Sequence, residues 1–256
     1  MSDTPPLESG EAPAKAGCVV RAFIIALPLG LAFMIPLSLW IYYQKKYAKE
    51  EAATSHLASM LQRELNSVDY VNNINTIDSA AGDASTSKTE VVAKFVESKM
   101  GFANMGYNIE QQSFDVDGKK ASNLVVELPG KKDTRETVLV IAGYDTPDAS
   151  GISALMCVAH AMTGTTHSRT IRFAAVTHSD AADTKANGIE VLAKKIAELE
   201  VPVKKVILFH PALKATPAAW QNAEITSLAS ELKDPTPTPL DMLQRLKKAV
   251  ETAADE

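Results

Sequence analysis

The chain has 256 residues, with 26 Lys and Arg against 31 Asp and Glu, so its formal net charge of −5 leaves no basic surplus for gripping nucleic acid. Apolar residues make up 46%, enough for the core of one domain with extra segments. Two cysteines, Cys18 and Cys157, with no C-x-x-C pair, argue against a disulfide framework and against a cysteine-built metal site.

Residues 1–21 are rich in Pro, Gly, Ala and acidic side chains and are expected to form a disordered tail. Gly17-Cys18 has the look of a lipoprotein signal end, but the apolar stretch follows the cysteine, so Cys18 is taken as an ordinary residue. Residues 22–43, AFIIALPLGLAFMIPLSLWIYY, carry no charge. At a rise of about 1.5 Å per residue they span about 33 Å, which predicts one transmembrane helix. Trp40, Tyr42 and Tyr43 crowd one end as interfacial aromatics do, and Pro28 and Pro36 are tolerated in a membrane helix. A cleaved signal peptide would have a shorter apolar region and a small-residue cleavage site, whereas QKKYAKEE follows here. Lys15 and Arg21 precede the segment and Lys45, Lys46 and Lys49 follow it, a weak charge bias toward a cytoplasmic C-terminal side.

Residues 44–88 read as an amphipathic helix and a linker. Leu57, Met60, Leu61, Leu65 and Val68 recur at spacings of three and four, predicting a helix over 45–71, and DSAAGDASTSK over 78–88 is small and polar. The folded domain is expected over 89–215. A helix is predicted from Thr89 to Met100, then strands in YNIEQQSF and SNLVVELPG, the second stopped by Pro129-Gly130. Val138 to Ala142, Thr170 to Thr177 and Val203 to Phe209 are further strands, separated by helices over Ala149 to Met162 and Lys185 to Glu200. This alternation predicts an α/β fold, a mainly parallel sheet flanked by helices and preceded by the transmembrane helix. Residues 216–256 read as the linker KDPTPTP and a charged terminal helix over Leu240 to Ala253 whose Leu243, Leu246 and Val250 do not suffice to bury it.

In an open α/β sheet, ligands bind beyond the carboxyl ends of the strands. Those ends carry Tyr144, Asp145 and Asp148; Thr177, His178, Ser179 and Asp180; and His210. Loops are polar without being sites, and Ser150 or Asp148 could simply cap the helix that follows. His56, His160 and His167 read as surface or helix residues.

From about Glu90 to Ala215 the chain resembles the zinc exopeptidase family of aminopeptidases, glutamate carboxypeptidase and the transferrin receptor ectodomain. VAKFVESKMGFANMGYNIEQQSF resembles its opening helix and the strand after it, and SNLVVELPG its N-[LV]-[IV]-A-x-L-x-G strand. VLVIAGYD resembles V-V-[IV]-x-A-H-x-D, DASGISALMCVAHAM the D-[AG]-S-G-x-x-A-L-L-E helix, and RTIRFAAVTHSD the R-T-[IV]-x-F strand that ends in Glu-Glu. The resemblance implies the zinc-exopeptidase fold and a pair of zinc ions, but it also implies that most donor positions are wrongly filled. The first-strand His falls on Gly143, the bridging carboxylate on Pro147, the general-base Glu on Ser179 and the adjoining ligand Glu on Asp180. The next strand-end Asp falls near His210 or Pro211, and no His follows His210 to serve as the last ligand. Asp145 matches a residue that supports the missing His. With 47 residues after Phe209 (256 − 209), the chain is also short for the family.

Gly and Pro bring no side-chain donor, and zinc needs three or four N, O or S donors at about 2.0–2.3 Å. The resemblance therefore implies a degenerate peptidase-like domain without zinc cofactor or peptidase activity, with a binding or scaffolding role. The alternative is a working metallo-hydrolase whose remodelled site uses Asp145, Asp148, His178, Asp180 and His210. A Ser-His-Asp arrangement is disfavoured because neighbouring His178 and Ser179 diverge along the strand end. The expected partners are the membrane through 22–43, a protein or peptide ligand, and a second copy of the chain through the membrane-proximal helix; nucleic acid is excluded. Anchored members of the family carry their domain outside the cytoplasm, which outweighs the small lysine bias and predicts a periplasmic or extracellular domain.

Overall fold

The computed structural model describes residues 34, 36–43, 60–82, 86–179, 181, 185–209, 217–233 and 237–256. The chain divides into two compact units, Met1–Thr54 and Ser55–Glu256. In the first, residues 34 and 36–43 are helical and exposed. Among the described residues no helix is long and apolar enough to cross a membrane, and most of the 22–43 run lies outside them.

The second unit is built on a six-stranded sheet in the order β1-β2-β4-β3-β5-β6. Its strands are β1 (Glu110–Val116), β2 (Lys119–Leu128), β3 (Asp133–Gly143), β4 (Arg169–Val176), β5 (Val203–Leu208) and β6 (Glu224–Ser227). β4, β3, β5 and β6 run parallel, whereas β1 pairs antiparallel with β2 and β2 antiparallel with β4. The sheet is therefore mixed, with a parallel centre, as the alternation of strands and helices predicts for 133–208.

The two-residue period of the strands sorts side chains into two cores. Val138, Val140 and Ala142 of β3 join one core with Ile171, Phe173 and Ala175 of β4. Leu139, Ile141, Ala174 and Val176 join the other. Burial on both faces explains why these strands are continuous apolar runs rather than alternating ones. The first core is covered by α1 (Ser67–Asp78), α2 (Lys88–Met100), α4 (Ser150–Met162) and α7 (Pro239–Asp255), and the second by α5 (Gly188–Glu198). Two short helices, α3 (Phe102–Met105) and α6 (Ala229–Lys233), and a 3-10 turn, Ala218–Trp220, whose Trp220 enters the second core, complete the described elements. Every residue of α4 except His160 is buried, as suits a helix that is apolar all round.

Three sequence expectations are corrected. The helix predicted over 45–71 does not run through: residues 62–66 are non-helical, and Asn66 starts a new helix by accepting the Val68 amide at 2.8 Å. A side-chain oxygen at the cap position overrides the apolar period. The new helix α1 buries Tyr70, Asn73 and Ile77 in the first core, so packing begins well before residue 89. The C-terminal helix is not a solvated appendage. Met242, Leu243, Leu246, Val250, Ala253 and Ala254 of α7 are buried, the two alanines letting its last turn approach the sheet closely. His167, read as a surface or helix residue, is neither: it is 6% exposed in the loop before β4 and clamps that turn, its Nδ1 3.0 Å from the Asp255 carboxylate, which also accepts the Ser168 amide at 2.9 Å. Arg169 donates to the Ala253 carbonyl at 2.9 Å. Beyond these, β6 is an edge strand that its four residues, with one apolar side chain, gave no pattern to announce. His56 lies outside the described residues.

Candidate functional site

The carboxyl ends of β3 and β4 meet in parallel register, Gly143 opposite Val176. Beyond them lie two polar turns, 144–149 before α4 and a second before α5, described at 177–179, 181 and 185–187. Tyr144 is buried; its amide donates to the Val176 carbonyl at 2.9 Å and its phenol to the Ser122 carbonyl at 2.7 Å. Burial, with the Asp145 carboxylate nearby, pushes that phenol up to about 12, so it stays a neutral hydrogen-bond donor.

Asp145 reaches across to the second turn and accepts the backbone amide of His178 at 2.7 Å. His178 sits at φ 53°, a left-handed conformation that costs an L-residue about 1–2 kcal/mol and requires such support. Its imidazole Nδ1 is 3.8 Å from Asp145, beyond hydrogen-bond range, and is instead 2.9 Å from the Thr177 hydroxyl. The ring packs edge-on against Phe114, with centroids 6.3 Å apart. Asp148 is exposed and accepts the amide of Ser150, the first residue of α4, at 2.9 Å, although the cap position itself is Ala149. The structure thus brings Asp145 and His178 together and spends Asp148 on a helix end. Asp180 and His210 lie outside the described residues.

The floor of the second turn rests on residues that the sequence reading passed over. Asn123, fully buried in the middle of β2, donates to the Gly188 carbonyl at 2.7 Å, and its Oδ1 lies 3.4 Å from the Thr177 amide. Asn187 caps α5 by accepting the Ile189 and Glu190 amides and donates to the Ser179 and Ala181 carbonyls. Gly188 is required by contact: a Cβ there would stand 2.1 Å from the Thr177 carbonyl oxygen. The signal for Asn123 was a polar residue heading the apolar run LVVEL, and for Asn187 an Asn-Gly pair before a helical period.

Beside this floor lies a cavity of about 210 Å³. Its walls are Tyr144, Asp145, Thr146 and Pro147 on one side and Ile77, Asp78, Lys88 and Val92, from the facing ends of α1 and α2, on the other. At the β3 end Gly143 and Pro147 carry no donor, Asp145 is engaged by the His178 amide and Asp148 by the Ser150 amide. Among the described residues, this donor set does not fit a pair of zinc ions. Among the described residues, no group of three or more His, Cys, Asp or Glu side chains gathers to hold a metal ion. Cys157, on the buried side of α4, takes an Asn73 amide contact at 3.8 Å, and burial pushes its thiol up to about 12, so it is no nucleophile at neutral pH.

No protein-family model matches the sequence, and no curated protein sequence matches it. Solved structures do match the fold. A candidate Zn-dependent exopeptidase from Bacteroides vulgatus aligns with a TM-score of 0.55 at 12% identity, covering 75% of this chain and 97% of that one. A glutaminyl cyclase from an Acidobacteriales bacterium aligns with a TM-score of 0.51 at 10% identity, covering 75% and 96%. The LapA aminopeptidase of Legionella pneumophila aligns at 18% identity with a TM-score of 0.44, and this chain spans 43% of its length. The fold is zinc-exopeptidase-like.

Proposed function

We propose that this chain is a membrane-anchored protein whose zinc-exopeptidase-like domain binds a ligand or partner without hydrolysing it. The observation that carries the reading is the filling of the β3 end. Glycine and proline stand at 143 and 147, where the resembled family places a metal-binding His and a bridging carboxylate, and Asp145 is committed to the His178 amide at 2.7 Å. A zinc-activated water needs both the metal and a base to take its proton, and Ser179 supplies no base at neutral pH. The cavity of about 210 Å³ beside the strand ends leaves room for a small ligand or the end of a peptide. The anchor rests on the uncharged run 22–43, and an extracytoplasmic domain on the habit of anchored members of the resembled family.

The second reading, a remodelled mononuclear site, is favoured by one observation: Asp145 and His178 are neighbours, 3.8 Å apart. One experiment separates the two. The purified full chain is assayed for bound zinc, for release of amino-acid arylamides and for cyclisation of N-terminal glutaminyl peptides, the last because a glutaminyl cyclase shares the fold. The expected result is neither stoichiometric zinc nor turnover. Stoichiometric zinc with turnover abolished by Asp180→Ala overturns the non-hydrolytic reading.

A further inference from the structure

The sequence contains one Asn-Gly pair, Asn187-Gly188, and it stands where the turn beyond β4 enters α5. Asn-Gly is the dipeptide most open to spontaneous deamidation, because glycine puts no side chain in the way of its own amide nitrogen and leaves its backbone free to turn. The Gly188 nitrogen gives up its proton to hydroxide and attacks Cγ of Asn187. A bond forms between that nitrogen and Cγ, the Cγ–Nδ2 bond breaks, and the side-chain amide leaves as ammonia. Water then opens the succinimide ring at either carbonyl. The product is aspartate, or isoaspartate in which the main chain runs through Cβ and Cγ. Nothing is oxidised or reduced, and water is the co-reactant.

The folded chain holds every group that this chemistry must move. A side-chain amide has two donors and an oxygen with two lone pairs, and Asn187 uses them all. Its Nδ2 donates to the Ser179 carbonyl at 2.9 Å and the Ala181 carbonyl at 3.0 Å. Its Oδ1 accepts the Ile189 amide at 2.9 Å and the Glu190 amide at 3.2 Å. The Asn187 main-chain carbonyl accepts the Val191 amide at 3.0 Å, which keeps ψ at 116°. Ring closure requires the side chain and the 187–188 peptide plane to turn toward each other, and Gly188 is wedged on the far side. It is buried, and a Cβ on it would stand 2.1 Å from the Thr177 carbonyl oxygen and 2.6 Å from Asn123 Oδ1. Its carbonyl accepts from the Asn123 side chain at 2.7 Å.

We propose that Asn187 is a deamidation site sealed by the fold, exposed to water chemistry when the turn beyond β4 opens and, once converted, unable to tie that turn again. Local openings of this kind precede global unfolding in folded proteins. The second half of the proposal follows from the same contacts. Aspartate at 187 can still cap α5, but its carboxylate brings no N–H, so acceptor faces acceptor where the Ser179 and Ala181 carbonyls stand. Isoaspartate adds an atom to the main chain beside Gly188, where a single Cβ is already excluded. The turn concerned carries His178, whose amide Asp145 holds at 2.7 Å, so the change falls on one wall of the strand ends. The proposal stands on the geometry of 187–188 alone and is independent of whether the domain binds or hydrolyses a ligand.

The first arm of the test needs no variant. The purified full chain and a peptide of residues 185–194 are kept in the same mildly alkaline buffer, and conversion of Asn187 to the acid is followed by mass spectrometry of the fragment that carries it. The folded chain is expected to react at least about a hundredfold more slowly than the peptide, since four side-chain hydrogen bonds, each contributing about threefold or more, must break first. A folded-chain rate within a few-fold of the peptide's overturns the seal. The second arm compares Asn187→Asp with the parent chain by hydrogen exchange. Amides of the β4 turn and of the first turn of α5 should exchange at least about tenfold faster in the variant, two donated bonds being lost, while those of β3 and α4 keep their protection. Unchanged exchange in the turn overturns the claim that conversion unties it. Loss of protection throughout would assign Asn187 to the stability of the whole unit and overturn that claim equally, with the seal still decided by the first arm.

Discussion

The carboxylate of Asp145 gives one oxygen to the amide of a histidine held in a left-handed conformation, and this single bond ties the β3 turn to the β4 turn. Asp145→Ala strips the acceptor and leaves a part-buried amide without its partner. A loss of about 1–3 kcal/mol in chemical denaturation is expected, and Asp145→Asn should recover part of it because its carbonyl oxygen can still accept. Zinc or chelator added to either variant should change nothing, which distinguishes a structural tie from a metal-supporting role. Gly188 makes a second residue-scale case. Its Cβ would strike the Thr177 carbonyl at 2.1 Å, with backbone on both sides of the contact. Gly188→Ala is therefore expected to cost about 3 kcal/mol, although alanine elsewhere in a helix stabilises relative to glycine. None of this was legible in the sequence. A strand-end Asp followed by polar residues looks the same whether it holds a metal ligand or a backbone amide, and the difference lies in where its partner's main chain points.

At the scale of elements, legibility followed burial. The apolar runs 138–142, 170–177 and 203–209 declared strands because β3, β4 and β5 are covered on both faces, and the apolar block 149–162 declared α4 for the same reason. α7 was misjudged because its buried stripe is narrow and alternates with charges, and because an alanine pair at its end reads as neutral until the packing distance is known. Its anchoring makes two predictions. Leu246→Ala removes a fully buried side chain and should cost about 3 kcal/mol by thermal unfolding. The second concerns acid. Burial alone would raise the carboxyl of Asp255, but the Ser168 amide and the His167 ring outweigh it and hold it below the ordinary range. A depressed carboxylate contributes stability above its unfolded value and loses it as pH falls through the folded one. Burial also lowers His160, whose ring donates to the Leu61 carbonyl, so the unfolded chain takes up that proton first. Its contribution is whole above about pH 6.5 and fades as pH falls through the lower folded value. Melting temperature should therefore drop in two stages on acidification. Asp255→Asn should flatten the lower stage and His160→Gln the upper; a profile unchanged by both variants would refute the assignment.

For the molecule as a whole, the decisive question is where the folding unit starts. Composition places the start at residue 89, after a small polar stretch, since a linker and a surface loop of Ser, Ala, Gly and Asp have the same composition. Packing places it earlier. Tyr70 and Ile77, 4% exposed each, fill the first core against α4, and burial pushes the Tyr70 phenol up to about 12. Each such side chain contributes about 1.5–3 kcal/mol, so a chain trimmed to 89–256 forfeits about 3–6 kcal/mol before any exposure of α4 is counted. A domain of this kind commands about 5–15 kcal/mol in total. The two are close enough that trimming to 89–256 should give a protein that melts far lower, or aggregates through the uncovered flank of α4. Trimming to 60–256 should leave a single cooperative transition, because α1, its Asn66 cap and the Leu61–His160 and Gln62–Ala161 bonds are all retained. Differential scanning calorimetry of the two trimmed chains decides the matter. Equal melting temperatures would mean that α1 covers the core without supporting it. A lower one for 89–256 would make α1 an integral part of the zinc-exopeptidase-like fold, and would make the wall it lends to the strand-end cavity a fixed one.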